Sequence, residues 1–299
     1  MVDKPAGMTS HDVVDAARRS LGERKIGHAG TLDPDATGVL VLGVGDATRL
    51  MRFIDLVLSD GTAPHSSKSY TGTVVLGRET DTLDASGETI REHEMSSVIA
   101  GLDLGDLQTL IDERLVGDIM QVPPMVSSIR VDGRRLHELA REGVELELEP
   151  RAVTVHSCRV IAIRGNLVDL DVSCSSGTYI RSLAADLGRF LGGGAHLRDL
   201  RRTSVGSFDL SRAAPVDAIS PEVLLPVRAA VRALTRFEVD EDEVDRIATG
   251  GLLALGRLAA AGPGPWAVFR GDRLLAVYEA FANERVGDGW ARPAVNLAT

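Results

Sequence analysis

The stretch that most constrains the fold is Gly27-His28-Ala29-Gly30-Thr31-Leu32-Asp33-Pro34-Asp35-Ala36-Thr37-Gly38-Val39-Leu40, a glycine-rich polar turn running into an apolar segment. Glycines at 27, 30 and 38 let the backbone turn sharply or approach a ligand, while Pro34 fixes its own φ and biases Asp33 toward an extended conformation. A carboxylate on so stiff a turn points in one direction. In an arbitrary loop, an Asp-Pro of this kind would cap its own backbone as an Asx-turn; a site acid is the competing reading. Val39 to Val44 is a nearly continuous apolar run, which predicts a strand buried on both faces. Gly43-x-Gly45 follows it without the remainder of a dinucleotide fingerprint, so no nucleotide site is assigned there.

Around this turn the chain alternates helices and strands. Thr9-x-x-Asp12 has the form of a capping box, Val13, Ala16, Ala17 and Leu21 keep helical spacing, and Gly22 suits the position just past a helix end. Asp46 can cap a short helix through Ile54. Ser59 to Ser67 reads as a turn-rich loop, Lys68 to Gly77 as a strand, and Thr80 to Gly87 as a polar loop. Leu107, Leu110, Ile111 and Leu115 give Leu104 to Val116 one apolar stripe. Arg151 to Ile163 and Leu167 to Cys174 form a hairpin around Gly165-Asn166, the second strand alternating apolar and polar residues. It delivers the chain to Ser175-Ser176-Gly177-Thr178-Tyr179-Ile180-Arg181, which opens a helix buried through Ile180, Leu183, Ala184, Leu187 and Leu191 and ended by Gly192 to Gly194. Tyr179 and Arg181 therefore sit at a strand-to-helix junction. Pro215, Pro221 and Pro226 punctuate the chain beyond Arg212, and the boundary is placed so that residues 1–230 form one domain and 231–299 a second, small and mainly β, with a helix from Asp240 to Gly250 and a hairpin around Gly271-Asp272.

Composition narrows the class. A chain of 299 residues with 44% hydrophobic and 25% charged residues buries a full core. No apolar run approaches the roughly 18 residues of a membrane span, and no basic segment followed by an apolar one opens the chain, so a cytoplasmic location is expected. Cys158 and Cys174 read as reduced core residues, with no metal site. A formal charge of −10 opposes nucleic-acid binding. Distribution matters more: Glu79 to Asp118 carries eleven acids against Arg91 and Arg114, whereas Tyr179 to Arg212 carries six arginines against Asp186, Asp199 and Asp209. A local basic face on an acidic protein is expected, with weak non-specific RNA binding.

Six segments carry a family resemblance, two of them the strand Lys68 to Gly77, whose Tyr70 matches the family's active-site tyrosine, and the polar loop Thr80 to Gly87. The opening turn resembles the signature of the TruB family of tRNA pseudouridine synthases; Pro123-Pro124-Met125-Val126-Ser127-Ser128-Ile129-Arg130 resembles its Pro-Pro-x-Tyr-Ser-Ala-x-Lys motif; Gly177-Thr178-Tyr179-Ile180-Arg181 matches a third motif in full; and Ala195 to Thr203 resembles Gly-x-His-x-x-x-Leu-Arg-Arg. In the second motif Val126 replaces Tyr, Ser128 replaces Ala and Arg130 replaces Lys, losing an aromatic contact and keeping a positive charge in another geometry. Residues 1 to about 212 carry this likeness, and the C-terminal module resembles a degenerate PUA-type RNA-binding domain by order and size. Against the family, the opening strand before Asp3-Lys4-Pro5 is reduced to Val2, as if truncated, and residues 60–67 look like an insertion.

The resemblance implies an α+β pseudouridine synthase fold, a mixed and mainly antiparallel sheet flanked by helices, and conversion of uridine 55 in the T loop of tRNA to pseudouridine, by a monomer without a cofactor. It implies Asp33 as nucleophile, Arg181 as its ion-pair partner, and Tyr70 stacked on the base and active in proton transfer. Tyr179 supplies a further hydroxyl, Leu200 an apolar wall under the base, and His28 fills the space left by a flipped nucleotide. Arg49, Arg130 and Arg202 are assigned to the RNA, Arg202 through phosphates. Two rivals stand beside this reading: a tRNA-binding or folding module with a dead site, and a glycoside hydrolase needing a second acid such as Asp35.

Overall fold

The computed structural model describes all residues except 58–64, 128–129, 132–133, 137–141, 143–145, 147, 284–286 and 299, and the backbone alone of 130, 131, 135 and 283. Most of the insertion expected at 60–67 therefore lies outside the described residues, as does much of the segment after Ser127.

A nine-stranded sheet carries the first two thirds of the chain, in the order Gly117–Gln121, Arg151–Arg164, Leu167–Cys174, Lys68–Leu76, Ala195–Val205, Thr37–Leu40, Val2–Lys4, Ala214–Pro215, with Phe208–Asp209 pairing on Ala195–Val205. Two pairings are parallel, Ala195–Val205 with Thr37–Leu40 and Val2–Lys4 with Ala214–Pro215; the others are antiparallel. The fold is thus α+β with a mixed, mainly antiparallel sheet. The helices Leu104–Arg114 and Ile180–Phe190 seal one core, Leu107, Ile111, Leu183 and Leu187 packing with Val74, Leu76, Val168, Leu170 and Val172. The helix Ser10–Leu21 seals another through Val13, Val14 and Ala17 against Val2 and Leu40. Its capping box is formed between Thr9 and Asp12, and Gly22 ends it at φ 62°.

A second sheet of five strands, in the order Thr235–Glu238, Trp266–Arg270, Arg273–Asn283, Gly287–Asn296, Leu253–Ala254, builds a mainly β C-terminal module. Glu241–Ala248 and Leu255–Ala259 are its helices, and Ile247 and Leu258 join Trp266, Val268, Leu275 and Tyr278 in its core. No helix among the described residues is long and apolar enough to cross a membrane.

Three stretches differ from the expectations, the first being the short helix, which is a 3-10 helix at Gly45–Phe53 with Val44 at its cap position, Asp46 pairing with Lys25 instead. The apolar run Val39 to Val44 divides at Val41: Thr37–Leu40 belongs to the large sheet, whereas Leu42–Val44 pairs with Ile26–His28. Continuous apolarity marks burial without saying how many layers a segment crosses. Ala195 to Val205, whose arginines suggested a charged face, is a central strand, and its register breaks between Arg198 and Arg201 beside Asp199 at φ 55°. That irregularity erases the two-residue alternation a strand would show. Cys158 and Cys174 are unpaired and buried, which pushes their thiols up to about 12 and about 11.

Candidate active site

The turn bearing Asp33 is pinned on both sides. Before it, Ser10 at the start of the first helix accepts from the Leu32 amide at 2.8 Å and donates its hydroxyl to the Leu32 carbonyl at 3.1 Å. After it, the Pro34 carbonyl accepts the Gly7 amide at 2.9 Å and the Lys4 ammonium at 2.8 Å. Lys4 is wholly buried and donates also to the carbonyls of Pro5, at 2.9 Å, and Met8, at 2.6 Å. One ammonium therefore ties the edge of the sheet, the segment after it and the Asp33 turn together. Gly30, at φ 82°, completes the turn; a Cβ there would approach Lys68 Nζ to 3.1 Å and Arg202 Nη1 to 3.4 Å.

Arg181 meets Asp33 from the first turn of helix Ile180–Phe190. Its Nη2 lies 3.1 Å from Asp33 Oδ2 and its Nη1 3.4 Å from Asp84 Oδ2. The same nitrogens donate to the carbonyls of Thr82 and Val126, both at 2.8 Å, so the guanidinium is held in plane by two loops while it bridges two acids. Gln121 fixes the helix start, accepting the Tyr179 amide at 2.8 Å and donating to the Tyr179 carbonyl at 3.1 Å. Arg181 is 4% exposed, whereas the Asp33 side chain keeps 41% of its surface open to the cleft. Loss of water around the carboxylate in the cleft raises the Asp33 pKa above the ordinary value; Arg181 opposes the shift and Asp84 adds to it. Asp84 accepts from the Thr82 hydroxyl at 2.8 Å and the Ser86 amide at 3.0 Å. Every contact to it is a donor, which suits a charge partner of Arg181 rather than the proton-donating acid a glycosidase needs.

The pair opens on two adjoining cavities. The outer, about 1020 Å³, is lined by His28, Asp33, Asp35, Asp84, Arg181 and Leu200 among others; the inner, about 200 Å³, by Asp33, Lys68, Tyr70, Tyr179, Arg181, Leu200 and Arg202 among others. Tyr70 is buried on strand Lys68–Leu76, and burial raises its hydroxyl pKa, with the Arg202 charge opposing. Burial likewise lowers the His28 pKa, favouring a neutral ring.

A sequence profile described as TruB family pseudouridylate synthase, N-terminal domain, matches residues 18–180, and one described as tRNA pseudouridylate synthase B C-terminal domain matches residues 181–232. The chain belongs to the TruB family. TruB-family relatives named tRNA pseudouridine synthase B include a protein of Rhodococcus jostii, 48% identical across 84% of this chain and 80% of that protein, and one of an Arthrobacter species, 43% identical across 100% of this chain and 95% of that one. Among solved structures, a Cbf5–Nop10–Gar1 complex superposes with a TM-score of 0.71 at 24% identity, and an H/ACA RNP bound to a substrate RNA containing 2′-deoxyuridine with 0.67 at 23%, each covering 100% of this chain and 84% of the other. At that identity the likeness is one of fold.

Within the TruB fold of this chain, then, His28, Asp33, Tyr70, Tyr179, Arg181 and Leu200 come from well-separated segments to one cleft. Two arginines depart from expectation, and the side chain of a third is not among those described. Arg202 is 1% exposed, and its guanidinium donates to the carbonyls of Val39 at 2.7 Å, Gly30 at 3.1 Å and Thr31 at 3.5 Å; it braces the Asp33 turn from behind instead of reaching a phosphate. Arg49 donates to the Asn296 carbonyl at 2.6 Å, joining the helical segment Gly45–Phe53 to the C-terminal sheet outside both cavities. Arg130 pairs through its backbone with Arg135, and its side chain lies outside the described residues. Two residues of the site carry no motif of their own in the sequence. Lys68 precedes Tyr70 by two on one strand, hence on the same face, and Asp84 lies in the polar loop beside the site; parity was the available signal for the first.

Proposed function

We propose that this protein isomerises uridine to pseudouridine in tRNA, at position 55 of the T loop, with Asp33 as the nucleophile. The observation that carries the reading is the ion pair of Asp33 and the buried Arg181, 3.1 Å apart at the junction of two cavities. The reaction breaks N1–C1′, turns the base and joins C5 to C1′. It conserves electrons and needs no cofactor. Arg181 keeps Asp33 ionised against the loss of water in the cleft and fixes its aim. Tyr70 and Leu200 flank the base, Tyr70 and Tyr179 offer hydroxyls for the proton leaving C5, and the base reaches them by flipping out of its stack, with His28 filling the gap. The RNA is recognised by the shape of the T loop as well as its bases.

The reading extends to organisation. We assign the chemistry to residues 1–230 and RNA support to a PUA-like domain at 231–299, in a cytoplasmic monomer. The supports are the separate cores of the two sheets and the names of the relatives. The test is to incubate the protein with an unmodified tRNA transcript and map pseudouridine, beside Asp33→Asn. Intact protein is expected to modify one T-loop uridine, and D33N to bind the transcript and leave it unchanged. Activity surviving in D33N would sink the nucleophile, and tRNA binding without isomerisation by the intact protein would turn the reading to an inactive RNA-folding module.

A further inference from the structure

Three cations line the inner chamber among the described residues. Arg181 is taken by Asp33 and Asp84, and Arg202 by three carbonyls. Lys68 is the third. Its side chain is 13% exposed; Nζ donates to the Ser176 hydroxyl at 2.7 Å and stands 3.7 Å from Asp55 Oδ2, and Ser176 donates onward to the same carboxylate. Asp55 and Ser176 thus fix where the ammonium sits; the Ser176 hydroxyl takes one of its three N–H groups and Asp55 draws a second, which leaves one to turn toward the cavity. It lies against Gly30, three residues from Asp33, where a Cβ would come within 3.1 Å of it. Tyr70, two residues on along the strand, shares its face.

We propose that Lys68 is a catalytic residue whose ammonium stabilises the negative charge that develops on the carbonyl oxygens of the uracil ring during isomerisation. The proposal rests on the function argued above and deepens it. If N1–C1′ breaks first, its electron pair stays with the base as a uracil anion shared by N1, O2 and O4, and C1′ is taken by the Asp33 carboxylate or relieved by loss of the C2′ proton to it, a proton that returns to C2′ as C5 bonds C1′. If Asp33 first adds at C6, the C5–C6 π pair moves onto C5 and O4 as an enolate. Both routes end with C5–C1′ formed, the C5 hydrogen lost as a proton and a proton gained at N1. Both load the ring oxygens with charge. The other acids of the cleft, Asp33, Asp35 and Asp84, repel that charge, so a counter-cation is required on the base side of the nucleophile. A fixed charge held in place beforehand by Asp55 and Ser176 is worth more to such a state than solvent that must reorient.

Single-turnover rates at saturating tRNA, tRNA affinities and melting temperatures are to be measured for K68M, K68R and D55N. K68M is expected to lose roughly a hundredfold in rate with its Kd for tRNA within about threefold of wild type. K68R, which keeps the charge, is expected to recover at least tenfold of that loss, and D55N, which loosens the ammonium without removing its charge, to lose at least about tenfold less than K68M. A merely structural ion pair predicts instead that D55N and K68M cost the same, chiefly in melting temperature. Equal losses in those two variants, a K68M rate within threefold of wild type, or a loss carried wholly by Kd each overturn the proposal. If K68M does not fold, K68R is compared with D55N: a larger rate loss in D55N overturns it. Intact protein that makes no pseudouridine overturns the function and this proposal together, whereas active wild type with active K68M overturns only the latter.

Discussion

Asp33 is one short side chain whose behaviour is set by charges from three other segments, Lys4, Asp84 and Arg181. A nucleophile must be ionised, and its pKa is raised, so the rate is expected to fall on acidification with a midpoint above the ordinary value of about 3.9. Asp84→Asn removes a like charge and leaves Arg181 to Asp33 alone. Both changes favour the ionised form, so the acid limb of the single-turnover rate against pH moves to lower pH, while the plateau drops roughly tenfold as the guanidinium loses one of its anchors. A limb that moved upward would show that Asp33 does not govern it. The candidate pair Asp33 and Arg181 was legible in the sequence because each stands in a dense motif. Asp84 was not singled out, since an acid in a polar loop looks the same whether it faces water or a buried arginine. Arg202 shows the converse: an arginine beside another reads as surface charge, and only the fold reveals the carbonyls that consume its donors.

At the scale of elements, caps and turns were readable where local chemistry decides them. The capping box at Thr9 and the Gly165-Asn166 hairpin follow from residues within a few positions of each other. Close packing between distant strands is different. Gly38 sits at φ 104°, and a Cβ there would fall 2.1 Å from the Arg202 carbonyl on the neighbouring parallel strand, whereas Gly165 at φ 61° has nothing within 4 Å. Gly165→Ala is therefore expected to cost about 1 kcal/mol of backbone strain and a few degrees of Tm. Gly38→Ala adds a clash that backbone must absorb, and is expected to cost about 4 kcal/mol or more, roughly 10 °C in a thermal melt. Equal melting temperatures for the two would mean that the Gly38 strand gives way freely. The same strand-to-strand demand explains why Ala195–Val205 escaped notice: its place in the middle of the sheet depends on partners more than a hundred residues away.

At the scale of the molecule, the two sheets have cores of their own, yet a third cluster joins them. Leu50 and Phe53 from the helical segment Gly45–Phe53 pack with Val231, Leu234, Phe269 and Val277, and Arg49 and Arg52 reach Asn296 and Glu279 across the same seam. Ending the chain after residue 230 would bare this apolar surface. The fragment is expected to melt at least 5 °C lower than the full chain and to bind a hydrophobic dye at temperatures where the full chain does not. An unchanged melt would mean that the first domain stands alone. The sequence by itself determined the acid on its stiff turn, the helices and hairpins around it and the motifs that mark the family, because short-range sterics, capping and periodicity act within a few residues. Only the tertiary structure decided that Arg202 lies spent behind Asp33, that Asp84 and Lys68 belong to the cleft, and that the second sheet leans on the first. Each of those depends on which distant strands become neighbours, and burial against a partner leaves no local trace in the chain.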